Sequence, residues 1–344
     1  MKKLILISFF LISISYCKGQ GCPACSNPAL QSNEKLESDL VQLNKGDFRL
    51  TMNIINGNDY QGGHFNSLGL NEVGEVISTP LHKHQINLDF IRTEVSLEYT
   101  LQTNWTTWLR VPYDLKMQTA TIDFIELATQ EEKEAIVRNK DIHHRTENYS
   151  GLSDLRLLIS HRINSVFTNK DKIDIALGSS LPIGEIEDNP IKAGNEGRKH
   201  LHIQFGSGTF DPLLEFHYAL SLSDKVSLAL FSINKLTFYE NKLNYKGSNE
   251  TTTGLSLGYF LTKSISPRIT YVHFSQSQAQ WDGENDPNSG LISNNLTANV
   301  SVKLNNGISI TPGFRLPLNQ KTIDSSGDVF EYGYTYTLNV SKKL

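Results

Sequence analysis

Apolar and polar residues alternate with a period of two along much of the chain. The alternation is strictest over residues 91–101, where apolar side chains and threonine occupy every second position and charged or hydroxyl side chains lie between them. A turn at 102–104 leads into a second alternating segment, 107–117. This period predicts strands with one apolar and one polar face. Charges on consecutive strands that have a single apolar face are typical of a barrel wall between lipid and a polar lumen.

The same pattern recurs to the end of the chain and predicts twelve strands. They are 47–56, 91–101, 107–117, 151–163, 172–183, 200–221, 225–239, 251–261, 267–280, 291–304, 307–318 and 329–341. Connections after odd-numbered strands are long, including a loop through Pro80 and a loop with a surface helix at 129–138 behind a threonine cap. Connections after even-numbered strands are short. The pattern predicts an all-β fold, an antiparallel up-and-down transmembrane β-barrel with long outer loops and short periplasmic turns.

The first 19 residues resemble a secretory signal peptide. Two lysines precede an apolar run over 4–15, which is too short to span a bilayer, and Cys17 and Gly19 supply small residues for cleavage after Gly19. A lipoprotein signal at Cys17 or Cys22 is the alternative. We expect residues 20–45 to form a periplasmic arm and residues 46–344 to form the barrel.

Charge and hydropathy limit the kinds of partner and of membrane segment that the chain can have. The chain has 32 Lys and Arg against 36 Asp and Glu, and removal of the signal leaves 29 basic residues. An acidic mature chain argues against nucleic acid. No later segment approaches the roughly 18 apolar residues of a membrane-spanning helix. We therefore expect a protein of the bacterial, Gram-negative outer membrane, whose partners are outer-membrane lipid, the barrel assembly machinery and a small-molecule substrate.

The arm contains a CxxC motif, formed by Cys22 and Cys25. In an oxidising compartment the two thiols predict a local disulfide, a redox dithiol, or a clip for copper or zinc. No second CxxC and no adjacent histidine complete a four-ligand zinc pattern or a haem attachment site. No other cofactor is indicated.

The stretch from His200 to Pro212 joins two alternating segments through a small-residue centre. His200 and His202 share one side of a predicted strand and are expected to face the lumen. Gly206 and Gly208 predict a bulge or break within the sixth strand, which would aim Asp211 inward. The histidine pairs at 82 and 84 and at 143 and 144 are expected on solvated outer loops.

Charged side chains that share the polar face of their strand form the remaining candidate set. Both signs occur, so these residues either pair across the barrel and close it or line a selective polar path. The candidate lumen residues are Arg92, Glu94, Arg110, Asp114, Arg156 and Glu215.

Three short motifs occur in order along the chain: a Gly-Leu-Ser-Asp strand start at 151–154, a Leu-Pro-Ile-Gly strand end with Pro182 and Gly184, and Gly-Ser-Gly-Thr-Phe-Asp at 206–211. They resemble the family of outer-membrane barrels named for the MetA pathway of phenol degradation, although Ser153 replaces the usual glycine of the first motif. The resemblance covers about residues 149–220. It implies a transporter-like barrel that passes small, often hydrophobic or aromatic, molecules.

The resulting hypothesis is a porin-like channel or transporter that passes a small molecule through a polar lumen, and the resemblance implies that this molecule is hydrophobic or aromatic. The alternatives are a metal-binding outer-membrane protein that uses the CxxC and histidines, and a structural or adhesive barrel. An enzyme is not expected, because no loop carries the spacing of an outer-rim Ser, His and Asn site.

Overall fold

The protein is a closed antiparallel β-barrel. The computed structural model describes residues 43–196, 198, 205–324 and 331–344, so the predicted signal peptide and the arm up to residue 42 lie outside the described residues. The long strands are β1 (Phe48–Leu70), β2 (Val76–Gln102), β3 (Trp105–Phe124), β4 (Glu147–Leu152), β5 (Leu155–Asn164), β6 (Asp171–Leu181), β7 (Pro212–Ser221), β8 (Val226–Lys235), β10 (Glu250–Tyr259), β11 (Ile265–Gln276), β14 (Leu291–Lys303), β15 (Ile308–Thr322) and β16 (Tyr334–Lys343). The remaining elements are α1 (Gln130–His143), α2 (Pro190–Asn195) and the two-residue strands β9 (Tyr245–Lys246), β12 (Gln280–Trp281) and β13 (Glu284–Asn285).

Closure comes from the pairing of the first wall strand with the last. β1 pairs antiparallel with β16 on one side and with β2 on the other. β4 and β5 both pair with β3, at successive levels, and so occupy one position in the wall. Counted in this way, the described residues form a twelve-stranded barrel, as the sequence pattern predicted. The predicted fold class is confirmed.

The two faces of the wall differ as the alternation requires. In β2, Arg92, Glu94 and Glu98 are buried inside the barrel, whereas Val95 and Leu97 are exposed on its outside. Exposed apolar side chains recur on the outer face of every long strand from β5 to β11. This apolar surface would be covered by lipid hydrocarbon in a membrane and would be costly in water.

The first hairpin is much longer than predicted. β1 continues to Leu70 and β2 begins at Val76, with only a tight turn between them, so the prediction of a long loop through Pro80 was wrong. Glycines and asparagines that suggested a loop lie within paired strands of 23 and 27 residues. A barrel strand needs about 9–11 residues to cross the hydrocarbon core, so this hairpin extends beyond the membrane on the outer side.

Outer connections carry the helices and a small second sheet. α1 starts at the predicted threonine cap: Thr129 accepts from Glu132 N, and Glu132 accepts from Thr129 N at 2.7 Å. β12 pairs with β9 on one side and with β13 on the other, in a three-stranded sheet separate from the wall. Neither helix in the described ranges is long and apolar enough to cross a membrane.

Two predicted strands are divided or shortened. The predicted strand 151–163 is interrupted at Ser153 and Asp154, between β4 and β5. The predicted sixth strand, 200–221, is confirmed only from Pro212, where β7 begins; residues 205–211 are not a strand, and residues 200–204 lie outside the described residues. Gly206 and Gly208 therefore do not break the wall, and the interruption of the wall lies at Ser153 instead.

Pro112 accounts for that interruption. In an antiparallel ladder, the N–H and C=O of one residue point to the same neighbouring strand. The Pro112 carbonyl accepts from Ser153 N at 3.1 Å, so the N–H that proline lacks would have pointed to the same side. Since proline cannot donate, the ladder between β3 and its partner breaks there.

Candidate functional site

The lumen carries a network of buried ion pairs. Four of the pairs join register partners on neighbouring strands. They are Arg92 with Asp114 at 2.5 Å, Arg162 with Asp174 at 2.9 Å, Arg49 with Glu98 at 3.2 Å and Lys235 with Glu250 at 2.8 Å. Each such pair satisfies charges that would otherwise be costly away from bulk water.

One ion pair, which we call the cross-lumen pair, bridges one side of the lumen between strands that are not neighbours. Arg110 in β3 binds Glu215 in β7 through two contacts, Nη1 to Oε1 at 2.5 Å and Nη2 to Oε2 at 3.0 Å. Two wall positions, those of β5 and β6, separate these strands. His217 places its Nε2 at 3.5 Å from Glu215 Oε2. This bridge narrows the lumen at the level of Arg110.

Other predicted lumen residues lie close to the bridge. Arg156 is the register partner of Arg110 and is half-buried. Glu94 is 2 % exposed and accepts from Ser96 Oγ at 3.5 Å. Arg92, Glu94, Arg110, Asp114 and Glu215 are thus all buried on the inner face, on the side of the barrel formed by β2, β3 and β7.

The opposite wall is lined mainly by neutral polar side chains. Hydroxyl pairs link Ser256 to Thr270 and Ser301 to Thr311, each at 2.8 Å. The charges therefore lie asymmetrically around the lumen.

The three motifs of the sequence meet around the carboxylate of Asp154. Its Oδ1 accepts from Gly184 N at 2.9 Å, and its Oδ2 accepts from Ser207 N at 2.8 Å and from Ser207 Oγ at 3.0 Å. Gly184 and Gly206 touch through their backbones, since a Cβ added at Gly184 would lie 2.7 Å from Gly206 Cα. Only glycine allows this approach. We call this contact the motif junction.

Residues 205–211, which we call the inner segment, enter the barrel from the motif junction. Phe205 is buried, and the Lys116 ammonium lies 4.7 Å from its ring centroid. Gly208 adopts a left-handed conformation with φ of 70°. At the end of the segment, Asp211 is 1 % exposed and its backbone N–H donates to Ser180 Oγ at 2.9 Å.

Two further contacts complete the setting of the inner segment. Thr209 Oγ1 donates to Asp211 Oδ1 at 2.6 Å, and Asn241 Nδ2 from the outer connection after β8 donates to Ser207 O at 2.9 Å. Asp211 Oδ2 is buried and has no hydrogen-bond partner among the described residues. The segment is therefore held by a wall strand and by a loop.

An apolar cluster, which we call the aromatic cluster, fills the lumen at the level of Phe205. It contains ten buried residues, of which six are aromatic. The members are Ile55, Tyr60, Ile86, Leu88, Phe90, Tyr149, Phe205, Phe274, Leu291 and Tyr332. Most of them project from wall strands, whereas Phe205 and Tyr332 come from outer connections. The sequence analysis had expected a polar lumen. At the level of the aromatic cluster, apolar side chains line it instead.

A recess of about 250 Å³ opens at the end of the lumen where the short turns lie. It is lined by residues of the 164–172 turn, by the ends of β7 and β8, and by Arg268. The recess therefore lies at the end of the lumen opposite the aromatic cluster.

Several predicted site residues fall elsewhere. Cys22, Cys25, His200 and His202 lie outside the described residues. Pro182 follows the last residue of β6, in agreement with the predicted strand end. The expectation of solvated loop histidines was wrong for His82 and His84, which are 0 % exposed, and for His144, which is 2 % exposed.

Sequence reasoning missed Asp154, Phe205 and the aromatic cluster. Asp154 was the acidic end of a recognised motif, and its position before a strand restart was the available signal. Phe205 fell within the predicted strand 200–221, whereas the structure has no strand at this residue. Ile86, Leu88 and Phe90 lie at every second position before Arg92 and so share its inward face, but the predicted strand began only at residue 91.

Comparison with protein-family models and with curated proteins gives no match. Among solved structures, the chain is similar to the COG4313 outer membrane channel from Pseudomonas putida F1, at 13 % identity and a TM-score of 0.52, over 88 % of this chain and 97 % of that one. At this identity the likeness shows the fold alone. A FadL homologue from Pseudomonas aeruginosa gives 11 % identity over 95 % of this chain and 98 % of that one, at a TM-score of 0.41.

Proposed function

We propose that the protein is an outer-membrane channel for small molecules that carry an apolar or aromatic group. The aromatic cluster inside the barrel is the observation that carries this proposal. Six aromatic rings in the lumen suit a solute with an apolar group, because such a solute is stabilised by about 25 cal/mol for each Å² of apolar surface that it buries. The solved structure of similar fold is also described as an outer membrane channel.

The inner segment acts as the gate in this proposal. Phe205 belongs to the aromatic cluster, and Ser207 is tied to Asp154, so the segment occupies the path between the outer mouth and the ion pairs. Displacement of the segment opens that path. The Arg110–Glu215 bridge then forms the next constriction. The wall there is polar and charged, so it can solvate the polar end of an amphipathic solute as the solute passes.

Membership of the family named for the MetA pathway is part of the same proposal. It is supported by the meeting of all three motifs at Asp154, which gives each motif a structural role. The proposal also includes residence in the bacterial outer membrane, with outer-membrane lipid around the apolar belt and insertion by the barrel assembly machinery, and the barrel fold supports it.

A swelling assay with two anions tests the proposed function. Liposomes that contain the refolded protein are placed in isosmotic sodium benzenesulfonate or sodium isethionate, both of which keep a permanent sulfonate charge and cross bare lipid slowly. We expect faster swelling in benzenesulfonate, although it is the larger anion, because its ring is stabilised by the aromatic cluster. Swelling no faster than in protein-free liposomes, or faster in isethionate, would contradict the proposal.

A matched pair of variants tests whether the aromatic cluster causes the preference for benzenesulfonate. Phe205→Ser removes a ring from the aromatic cluster, whereas Phe210→Ser removes a ring of the same segment that is 57 % exposed. We expect Phe205→Ser to raise swelling in both salts and to lower the benzenesulfonate preference. Phe210→Ser should keep the wild-type ratio.

A further inference from the structure

Four imidazoles meet at the outer end of the barrel, where α1 packs on the first hairpin. His64 and His84 are register partners in β1 and β2, and His144 is the C-cap residue of α1. One ring nitrogen from each of these three lies within 4.8 Å of the other two. The fourth residue, His82, lies beside His84 with ring centroids 5.1 Å apart. We call these residues the histidine cluster.

We propose that His64, His84 and His144 bind a divalent transition metal ion of the zinc class, which fastens α1 to the first hairpin. Imidazole is a preferred ligand of Zn²⁺, Cu²⁺ and Ni²⁺, whereas Ca²⁺ and Mg²⁺ need oxygen ligands, and the ligating group contains no carboxylate. Three protein nitrogens leave a fourth position for water or for a further ligand.

The distances are within reach of such a site. Zn–N bonds of about 2.0–2.1 Å place the nitrogens of a tetrahedral site about 3.4 Å apart. The three nitrogens lie within 4.8 Å of one another, so small rotations of the imidazole rings bring them to the separation that a tetrahedral metal site requires. The rings are already near one another, with centroids 5.0 Å apart for His64 and His84 and 5.2 Å apart for His64 and His144.

Burial places the rings inside the protein. His84 is 0 % exposed and His144 is 2 % exposed, so bulk water does not surround either imidazole. His82 is also fully buried, and its Nδ1 lies 2.9 Å from Pro80 O. A carbonyl oxygen can only accept, so Nδ1–H donates to it and Nε2 is the ring nitrogen outside this bond, an arrangement common in metal-binding histidines. His82 Nε2 is buried and has no hydrogen-bond partner in the described part of the chain.

The backbone around the histidine cluster is held in place independently of a metal. Arg138 Nε donates to Leu70 O at 2.8 Å and Asn139 Nδ2 donates to Leu68 O at 3.0 Å, so two side chains of α1 are hydrogen-bonded to the end of the first hairpin. Gly63 lies next to His64 with φ of 140°, and a Cβ there would lie only 1.9 Å from His84 O. A preformed site of this kind loses little conformational entropy when the ion binds.

Cobalt titration of the refolded full chain, without a polyhistidine tag and after treatment with chelator, tests the proposal. Co²⁺ replaces Zn²⁺ and gives a visible absorption whose intensity reports four-coordination. We expect one equivalent to bind, to be displaced by Zn²⁺, and to bind at least about 100-fold more weakly in His84→Gln, beyond the 10–100-fold effect of losing a supporting hydrogen bond. His144→Gln should show the same loss and leaves the barrel wall untouched.

Two control variants test whether other cysteines and histidines of the chain bind the metal instead. Cys22→Ser/Cys25→Ser and His200→Gln/His202→Gln should bind Co²⁺ as the wild type does. Loss of binding in either control, or wild-type binding in both His84→Gln and His144→Gln, would overturn the proposal. Failure of the wild-type chain to bind Co²⁺ would overturn it as well.

Proteolysis provides a readout of the fastening. Trypsin sites lie within α1 at Lys133, Arg138 and Lys140. At free Zn²⁺ about 100 times its dissociation constant, cleavage through local opening of the helix should slow about 100-fold in the wild type. The rate in His144→Gln should not respond to Zn²⁺, and an equal response in both proteins would contradict the fastening role.

Discussion

The anchor of the inner segment can be removed by a single substitution, Asp154→Ala. This change deletes the acceptor of two backbone N–H groups, those of Gly184 and Ser207, and of the Ser207 hydroxyl. A hydrogen bond to a charged group contributes about 1.5–3 kcal/mol. Displacement of the inner segment breaks the two bonds from Ser207, those of its N–H and its Oγ, so these two bonds stabilise the closed arrangement by about 3 kcal/mol at the lower end of that range.

A loss of about 3 kcal/mol shifts the ratio of open to closed channels by about 100-fold. We expect Asp154→Ala to raise the open fraction in single-channel recordings from planar bilayers by about that factor, or until the channel is always open. Benzenesulfonate flux into liposomes should rise in parallel.

The matched control is Asp89→Ala, which also removes a carboxylate that accepts a backbone N–H, that of Asp59 at 2.8 Å, but on the outer face of the wall. Folding of both variants is checked by their heat-dependent migration in gels. The reasoning would be refuted if folded Asp154→Ala had the open fraction of the wild type, or if Asp89→Ala opened the channel equally.

Three further predictions concern the lumen, the motif junction and the helix. Removal of one partner of the cross-lumen pair, by Arg110→Met or Glu215→Leu, should cost about 3–5 kcal/mol in urea unfolding from lipid vesicles, whereas the double variant should lose much less, and equal losses would contradict the pairing. Gly184→Ala should destabilise the barrel because its Cβ would meet Gly206 at 2.7 Å, while Gly247→Ala, whose nearest neighbour lies at 3.6 Å, should leave its stability unchanged in the same assay. The hydrogen bond from the N-cap residue of α1 lowers the pKa of Glu132 below its usual value of 4.5, so capping is present above pH 4.5 and is lost as the pH falls through the lowered pKa. Proteolysis of α1 should therefore accelerate in acid in the wild type but not in Glu132→Gln, and an identical pH profile would contradict this.

The barrel could be predicted from the sequence because the alternation of residues reports directly which face meets lipid. A strand such as β2 needs no tertiary information to separate Arg92 and Glu94 from Val95. The inner charges were found for the same reason. Their partners were not, because a pair such as Arg110 and Glu215 is separated by two other wall positions and depends on the curvature of the closed sheet.

Other predictions failed because the local sequence signals differed from the conformation that tertiary contacts impose. Glycine and asparagine between residues 56 and 71 are typical of loops, yet pairing across the first hairpin keeps that segment extended. Residues 205–211 alternate as a strand would, but the contacts of Asp154 with Ser207 draw them away from the wall. The histidine cluster was missed because its members come from three elements that only the folded chain brings together.

The account rests on movement of the inner segment away from the lumen, and a reversible cross-link tests this most directly. A Cβ at Gly247 would lie 3.7 Å from Ser207 Cβ, which suits a disulfide. We would measure benzenesulfonate flux through Ser207→Cys/Gly247→Cys in a Cys22→Ser/Cys25→Ser background, before and after reduction. The account predicts no flux above protein-free liposomes in the oxidised form and recovery on reduction. Equal flux in the two states would contradict it.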